Sequence, residues 1–313
     1  MAIDSYGASS GASRWDLDEV VHQLRVSREA THNIRHQRRV RELPSRAELV
    51  QILEGLSAAL FPTHYGRPNL TDESIDYFVG DTLNTTLDRL HEQVRRGLQF
   101  GAEVAETEED QARAALGITR AFAASLPQIR ALVVSDVQAA YAGDPAATSI
   151  AEILLCYPGM VAILQYRLAH SLHKLGAPFI ARIVSDIAHS RTGIDIHPAA
   201  RIGASFFIDH GTGVVIGETT IIGERVRLYQ HVTLGAKRFP ADESGQLIKG
   251  TPRHPIVEDD VVIYAGATVL GRITIGAGST VGGNVWLTQS VPPNSNVSQA
   301  QMRSDCEGDT SKG

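Results

Sequence analysis

Apolar positions between residues 257 and 292 recur on a period of six. Val257, Ile263, Val269, Ile275, Val281 and Leu287 form one ladder. Val261, Ala267, Ile273, Ser279, Val285 and Val291, four residues further on, form a second of aliphatic or small side chains. Six fits neither the period of about 3.6 of a helix nor the alternation of a strand. It is the spacing of a hexapeptide parallel β-helix, in which each hexad lays down one short flat face and three faces close a triangular coil. The aliphatic residue points into the prism, and glycines such as Gly276, Gly278 and the pair Gly282-Gly283 turn the corners. The same ladder runs earlier through Ile196, Ile202, Ile208 and Val214, slips in phase by two, and resumes at Ile216, Ile222, Leu228 and Leu234. A globular sheet would alternate in twos and gives the glycine pairs no purpose.

Ahead of the coil the pattern is helical. Trp15 to about Arg41 reads as a very polar helix that Pro44 ends. Leu49, Leu53, Leu56 and Leu60 mark an amphipathic helix, and Pro62 to Asn69 a loop. Thr71 is the expected cap of a helix reaching Leu98, with Glu73 in its first turn. One helix is expected over Glu108–Ala124 and another from Pro127 to Ala140, closed by the turn Ala142-Gly143-Asp144-Pro145. Ile150–Cys156 and Met160–Leu175 are more apolar, and a last helix from Pro178 stops at Gly193. The expected organisation is a partly disordered extension (1–43), a helical domain (44–193), a parallel β-helix (194–293) and a tail (294–313), an α+β chain. Residues 236–255 hold three prolines and no hexad phase, so they read as a loop extruded from the coil, a length that is often functional.

The chain has 313 residues and a formal charge of −6. Beyond Arg35–Arg41 it has no basic block, which argues against a nucleic-acid partner. Cys156 and Cys306 form no framework or metal motif, suiting a reducing compartment. No run of about 18 apolar residues exists to span a membrane, and the N-terminus lacks the apolar core of a secretory signal. These features together predict a cytoplasmic location.

Departures from the hexad grammar mark candidate chemistry. Asp209-His210 stands where glycine and a neutral residue are expected, and Asp195 and His197 open the first coil. Residues 195 and 210 lie 15 apart in a coil of about 18 residues, so stacking could bring the Asp195 carboxylate to His210 and free its other nitrogen as a general base. Imidazole is the side chain that ordinarily titrates near neutral pH. Arg253-His254 closes the extruded loop, where Arg253 could grip a carboxylate and His254 a hydroxyl. Against this stand bland readings: a solvated histidine on a repeat face, an Asp that only turns the chain, a loop anchor. A metal is not expected, because His197, His210, His231 and His254 are widely separated along the chain and include no close-spaced pair. Gly276–Gly282 and Gly211–Gly217 both miss the dinucleotide fingerprint, and no nucleophile elbow occurs.

The ordered series Asp195-Ile-His-Pro-Ala-Ala-Arg-Ile-Gly203, Asp209-His-Gly-Thr-Gly213, Ile216-Gly-Glu-Thr219, Val232-Thr-Leu-Gly235 and Arg253-His-Pro255, with Asp136-Val-Gln138 and Asp144-Pro145 ahead of it, closely resembles the serine O-acetyltransferase family over residues 115 to 293. The resemblance implies a left-handed β-helix, against the usual crossover preference, and transfer of acetyl from acetyl-CoA to L-serine. It implies His210 as general base oriented by Asp195, and Asp144 and Asp209 as contacts for the serine ammonium. Arg253 becomes the carboxylate clamp and His254 a second serine contact, with catalytic weight of its own. Gly235, Ala236 and Lys237 face acetyl-CoA, a co-substrate rather than a permanently bound cofactor. It further implies homotrimers or dimers of trimers, with sites between prisms and L-cysteine as feedback inhibitor. Three departures stand out, one being an extruded loop longer than in the short bacterial members. Ala236-Lys237 replaces a second glycine, so Lys237, with Arg238 and Lys249, could meet CoA phosphates. The tail ends Ser311-Lys-Gly313 without the terminal Ile that docks family members into a sulfhydrylase, which speaks against that complex.

Overall fold

The structure, a computed structural model, describes residue 15 and residues 17–31, 35–36, 39–40, 42–99, 107–239 and 241–299. Contacts divide the chain into two units, Met1–Leu43 and Pro44–Gly313. In the first, helix α1 (Leu17–Thr31) carries Asp18 and Glu19 in its first turn and Arg28 in its last, the signs a helix dipole favours. The polar helix expected to reach Arg41 stops there, and Arg35–His36 pairs antiparallel with Arg39–Val40. Arginines at 35, 38, 39 and 41 would stand three and four apart on a helix, a repulsive arrangement. The expected disorder of residues 1–13 and most of the tail fall outside the described residues.

The second unit opens with α2 (Arg46–Leu60), α3 (Pro62–Tyr65), α4 (Ile75–Leu98), α5 (Glu108–Gly143), α6 (Ile150–Cys156), α7 (Pro158–Lys174) and α8 (Pro178–Thr192). Their starts follow side-chain chemistry. Ser45, Thr107 and Ser149 each accept the backbone N–H three residues on, and prolines occupy the first turns of α3, α7 and α8. Gly193, at φ 70°, ends α8 in the left-handed conformation.

Three local expectations are corrected. Pro62–Tyr65 is a short helix rather than loop. The fourth helix is capped at Ser74, bonded back to Thr71, so the acid in its first turn is Asp76 and not Glu73. Pro127 sits inside one 36-residue α5. Phe122, Leu126, Ile129 and Val133 are all buried along one side of it, and that packing outweighs the bond a mid-helix proline forfeits.

The coil has three faces, each a parallel sheet. The first stacks Asp195–Ile196, Val215–Ile216, Thr233–Gly235, Thr268–Leu270 and Trp286–Leu287. The second stacks Arg201–Ile202, Ile221–Ile222, Ile256–Val257 and Thr274–Ile275. The third stacks Phe207–Ile208, Arg227–Leu228, Val262–Ile263, Thr280–Val281 and Asn296–Val297. Every ladder residue from Val257 to Leu287 is buried. Val215 pairs with Thr233, one regular turn of the coil further on, whereas Thr233 pairs with Thr268, almost two turns further in sequence. The surplus is ejected as the loop between Gly235 and Ile256, and the register on either side is undisturbed.

A buried ion pair fastens the helices to the base of the coil. Arg167 on α7 donates to both oxygens of Asp136 on α5 at 2.9 and 3.0 Å, and to the carbonyls of Ile202 and Gly203. Asp136 also accepts the Phe206 N–H, and the Tyr166 hydroxyl reaches the Ala200 carbonyl at 2.6 Å. Both ends of this pair are thus well hydrogen-bonded, which is what makes a buried charge tolerable.

Candidate active site

One corner of the prism is irregular. Asp195 pairs with Val215 twenty residues later, two more than the regular coil above it. The extra residues lie between the third and first faces, within 209–214. Elsewhere in the coil, left-handed residues that carry a side chain fall on two corner ladders: Ser205, Arg225, Asp260 and Asn294 on one, His231 and Asn284 on the other. His210, at φ 59°, belongs to neither. The next residue, Gly211, is left-handed too, and a Cβ there would stand 2.5 Å from Ile194. The inserted corner thus throws the imidazole outward, 72% exposed, from a backbone conformation uncommon for a residue with a side chain.

Charged groups converge beneath it. Asp209 is 7% exposed, and its Oδ2 accepts Arg227 Nη2 at 2.7 Å. Arg227 also donates to the Gly143 carbonyl at 2.6 Å and lies over the Tyr229 and Phe207 rings. Next along the chain, Asp144 accepts from the Tyr157 hydroxyl at 2.6 Å and from the Ala146 N–H. Those bonds, with the nearby charge of Arg227, hold its carboxyl below the usual range, and Tyr157 is pushed up in return. Asp144, Asp209 and His210 are therefore brought together at one corner. Arg227 and Tyr157 are additions that no motif marked, although Arg227 is the one charge in the outward row Phe207, Arg227, Val262, Thr280.

Asp195 lies on the first face beside this corner, next to Ile194, which the Gly211 backbone approaches. Among the described residues no hydrogen bond or ion pair links Asp195 to His210, and the carboxylate oxygen paired with the ring is Asp209 Oδ1, 3.8 Å from Nδ1. The sequence count assumes a coil of about 18 residues. This one has twenty, and Asp195 stacks under Val215 on the first face.

Arg253 and His254 occupy a different corner, between the first and second faces. Arg253 donates to Glu218 Oε2 at 2.6 Å, which holds that carboxyl down. His254 is 7% exposed, and burial, then the Arg253 charge, push its pKa down to about 4. Its ring lies against Gly217, where a Cβ would sit 2.0 Å from Cδ2. Thr219 bonds its Nδ1 through both backbone and hydroxyl. His197, at the same corner one coil below Gly217 and two below His254, is also driven to about 4 by burial. The extruded loop begins here too: Gly235 ends a strand, while Lys237 is exposed and Ala236 half-buried. One chain therefore divides the expected set, with Asp144, Asp209 and His210 at one corner, Arg253 and His254 at the next, and the first face between. Glu218, Thr219 and Gly217 contact Arg253 and His254, and they lie in the Ile216-Gly-Glu-Thr219 run, to which the sequence alone attaches no role. Among the described residues no group of three His, Cys, Asp or Glu could hold a metal ion, and no helix is long and apolar enough to cross a membrane.

The chain matches the bacterial transferase hexapeptide model (six repeats) over residues 254–289. It is 58% identical over 298 residues to a plasmid-encoded serine acetyltransferase of Synechococcus elongatus, covering 93% of each chain. Among solved structures it resembles serine acetyltransferase 1 of Entamoeba histolytica in complex with L-cysteine, at 36% identity and TM-score 0.70 over 90% of this chain and 97% of that one. It also resembles the Neisseria gonorrhoeae serine acetyltransferase in complex with serine, at 28% identity and TM-score 0.52 over 80% and 94%.

Proposed function

The chain belongs to the serine acetyltransferase family, with its helical region and left-handed parallel β-helix, and on that footing we propose that His210 is the general base of its reaction. The activity is transfer of acetyl from acetyl-CoA to the hydroxyl of L-serine, giving O-acetyl-L-serine and CoA. In the proposed sequence the His210 imidazole takes the hydroxyl proton as the serine oxygen attacks the thioester carbon. The tetrahedral oxyanion collapses, the carbon–sulfur bond breaks, and the imidazolium returns the proton to the CoA thiolate. Backbone amides near Gly235 and Ala236 would stabilise the oxyanion. Asp144 and Asp209 would hold the serine ammonium, and Arg253 would exchange Glu218 for the serine carboxylate. Asp195 would orient the His210 ring, with the Asp209 carboxylate 3.8 Å from Nδ1 as a second neighbour.

The observation that carries this reading is the inserted corner, which sets one exposed imidazole beside two carboxylates. Because Arg253 and His254 stand a face away, the site is proposed to close between prisms of a homotrimer, a neighbouring copy supplying the clamp. L-Cysteine, which has a thiol where serine has a hydroxyl, would occupy the same clamp and inhibit. Related enzymes crystallise with serine and with L-cysteine, which supports both assignments. No permanently bound cofactor is needed, and the free thiol of Cys156 fits a cytoplasmic location. Thiol release from acetyl-CoA with L-serine, D-serine, L-homoserine and L-threonine tests the reading. His210→Ala should lower the L-serine rate about 10²- to 10⁴-fold; a rate within about tenfold of wild type would remove His210 from the role.

A further inference from the structure

We propose that Thr219 is a positioning residue that fixes His254 as the neutral imidazole with its proton on Nε2. This rests on the reading of His254 as a contact to the acceptor hydroxyl and adds which atom makes that contact. Thr219 N donates to His254 Nδ1 at 3.1 Å. A backbone N–H can only donate, so Nδ1 accepts and carries no proton. Thr219 Oγ1 lies 2.9 Å from the same Nδ1, and it accepts the N–H groups of Arg253 at 2.9 Å and His254 at 3.1 Å. A hydroxyl has one proton and two lone pairs. With both lone pairs taken by the backbone, its proton goes to Nδ1, and the bonding of this side chain is complete. Burial and the adjacent Arg253 oppose a second proton on the ring. What is left is a single Nε2–H donor.

The hold extends beyond the ring. Arg253 and His254 close the loop, and their successive N–H groups are pinned to one oxygen of the preceding coil. Arg272 caps the same joint from the coil above, donating to the carbonyls of Thr219 at 2.7 Å and His254 at 2.9 Å. Gly217 leaves the slot in which the ring lies. Thr219 thereby couples the clamp to the hydroxyl contact, so that the carboxylate and hydroxyl of one amino acid are read from a rigid pair. A donor at Nε2 suits an oxygen that gains charge or gives up a proton to a different base. It does not suit His254 itself acting as that base.

The test joins histidine ¹⁵N NMR with kinetics on the full-length enzyme. The wild type should show His254 with Nδ1 unprotonated and Nε2 protonated at pH 7, and Thr219→Ser, which keeps the hydroxyl, should preserve this. Thr219→Val should raise the serine KM about tenfold or more, leave the acetyl-CoA KM within about twofold and put part of His254 in the other tautomer. A wild-type ring protonated on Nδ1 would overturn the proposal even if the valine variant fails to fold. So would a Thr219→Val enzyme with unchanged tautomer and serine KM. His254→Ala separates the two readings: wild-type serine kinetics in that variant would remove His254 as a substrate contact, while the NMR arm would still decide what Thr219 does to the ring.

Discussion

Gly217→Ala isolates the role of His254 without touching a polar group. Gly217 does not adopt a left-handed conformation, so alanine meets no backbone penalty, and elsewhere such a change tends to stabilise by restricting the unfolded chain. The added Cβ, however, would lie 2.0 Å from His254 Cδ2 and 2.2 Å from Nε2. Ordinary contact begins at 3.4 Å, so the ring edge must retreat by the difference or the coil must part. The ring is tied behind by Thr219 and cannot swing freely. A displacement of about 1 Å in a positioned group can cost about 10²-fold in rate. We expect Gly217→Ala to lower kcat/KM for serine about 30- to 100-fold with melting temperature changed by only a few degrees, measured by thiol release and differential scanning calorimetry. Serine kinetics within about threefold of wild type would refute the placement of His254 in the serine site.

Other predictions test separate parts of the account. Asp136→Asn leaves Arg167 as an unmatched buried charge, which should cost about 3–5 kcal/mol and lower the melting temperature by about 10 °C; a fall under about 2 °C would contradict the anchoring role. His197 and His254 both titrate near 4 in the folded chain and near about 6.5 when unfolded. Between pH 6.5 and 5 the unfolded state then binds more protons, so stability should fall with pH across that window. Urea midpoints for a His197→Asn/His254→Asn variant should show a shallower fall, and an unchanged slope would count against it. Lys237→Ala should raise the acetyl-CoA KM severalfold and spare the serine KM, and an unchanged acetyl-CoA KM would free Lys237 from the phosphates.

The coil was legible because its inward residues repeat on a fixed register, so each burial confirms the next. Ile263, Val269, Ile275 and Val281 are all fully buried, and each of their hexads could be read without knowing its neighbour. Pro127 misled because its local cost is real, yet buried residues on both sides of it keep α5 continuous. The two-residue slip between Val214 and Ile216 is visible as arithmetic, but its meaning is not; in the structure the extra residues lie within 209–214. It is the insertion that carries His210, and it lengthens that coil from eighteen residues to twenty. Arg227 and Tyr157 left no signature because they reach Asp209 and Asp144 through tertiary contact, from 18 and 13 residues away. The separation of His210 from Arg253 by a whole face follows from which corner each hexad turns. That depends on every residue counted before it.

The central claim is that neighbouring copies share one site, His210 from one prism and Arg253 from the next. Co-assembly of His210→Ala chains with Arg253→Ala chains tests it directly. Each variant alone should be inactive, while random mixed trimers should regain about a quarter of wild-type thiol release, the fraction of clefts that receive both intact residues. Mixed trimers as inactive as either parent would mean that His210 and Arg253 act from the same chain, and the shared cleft would be wrong.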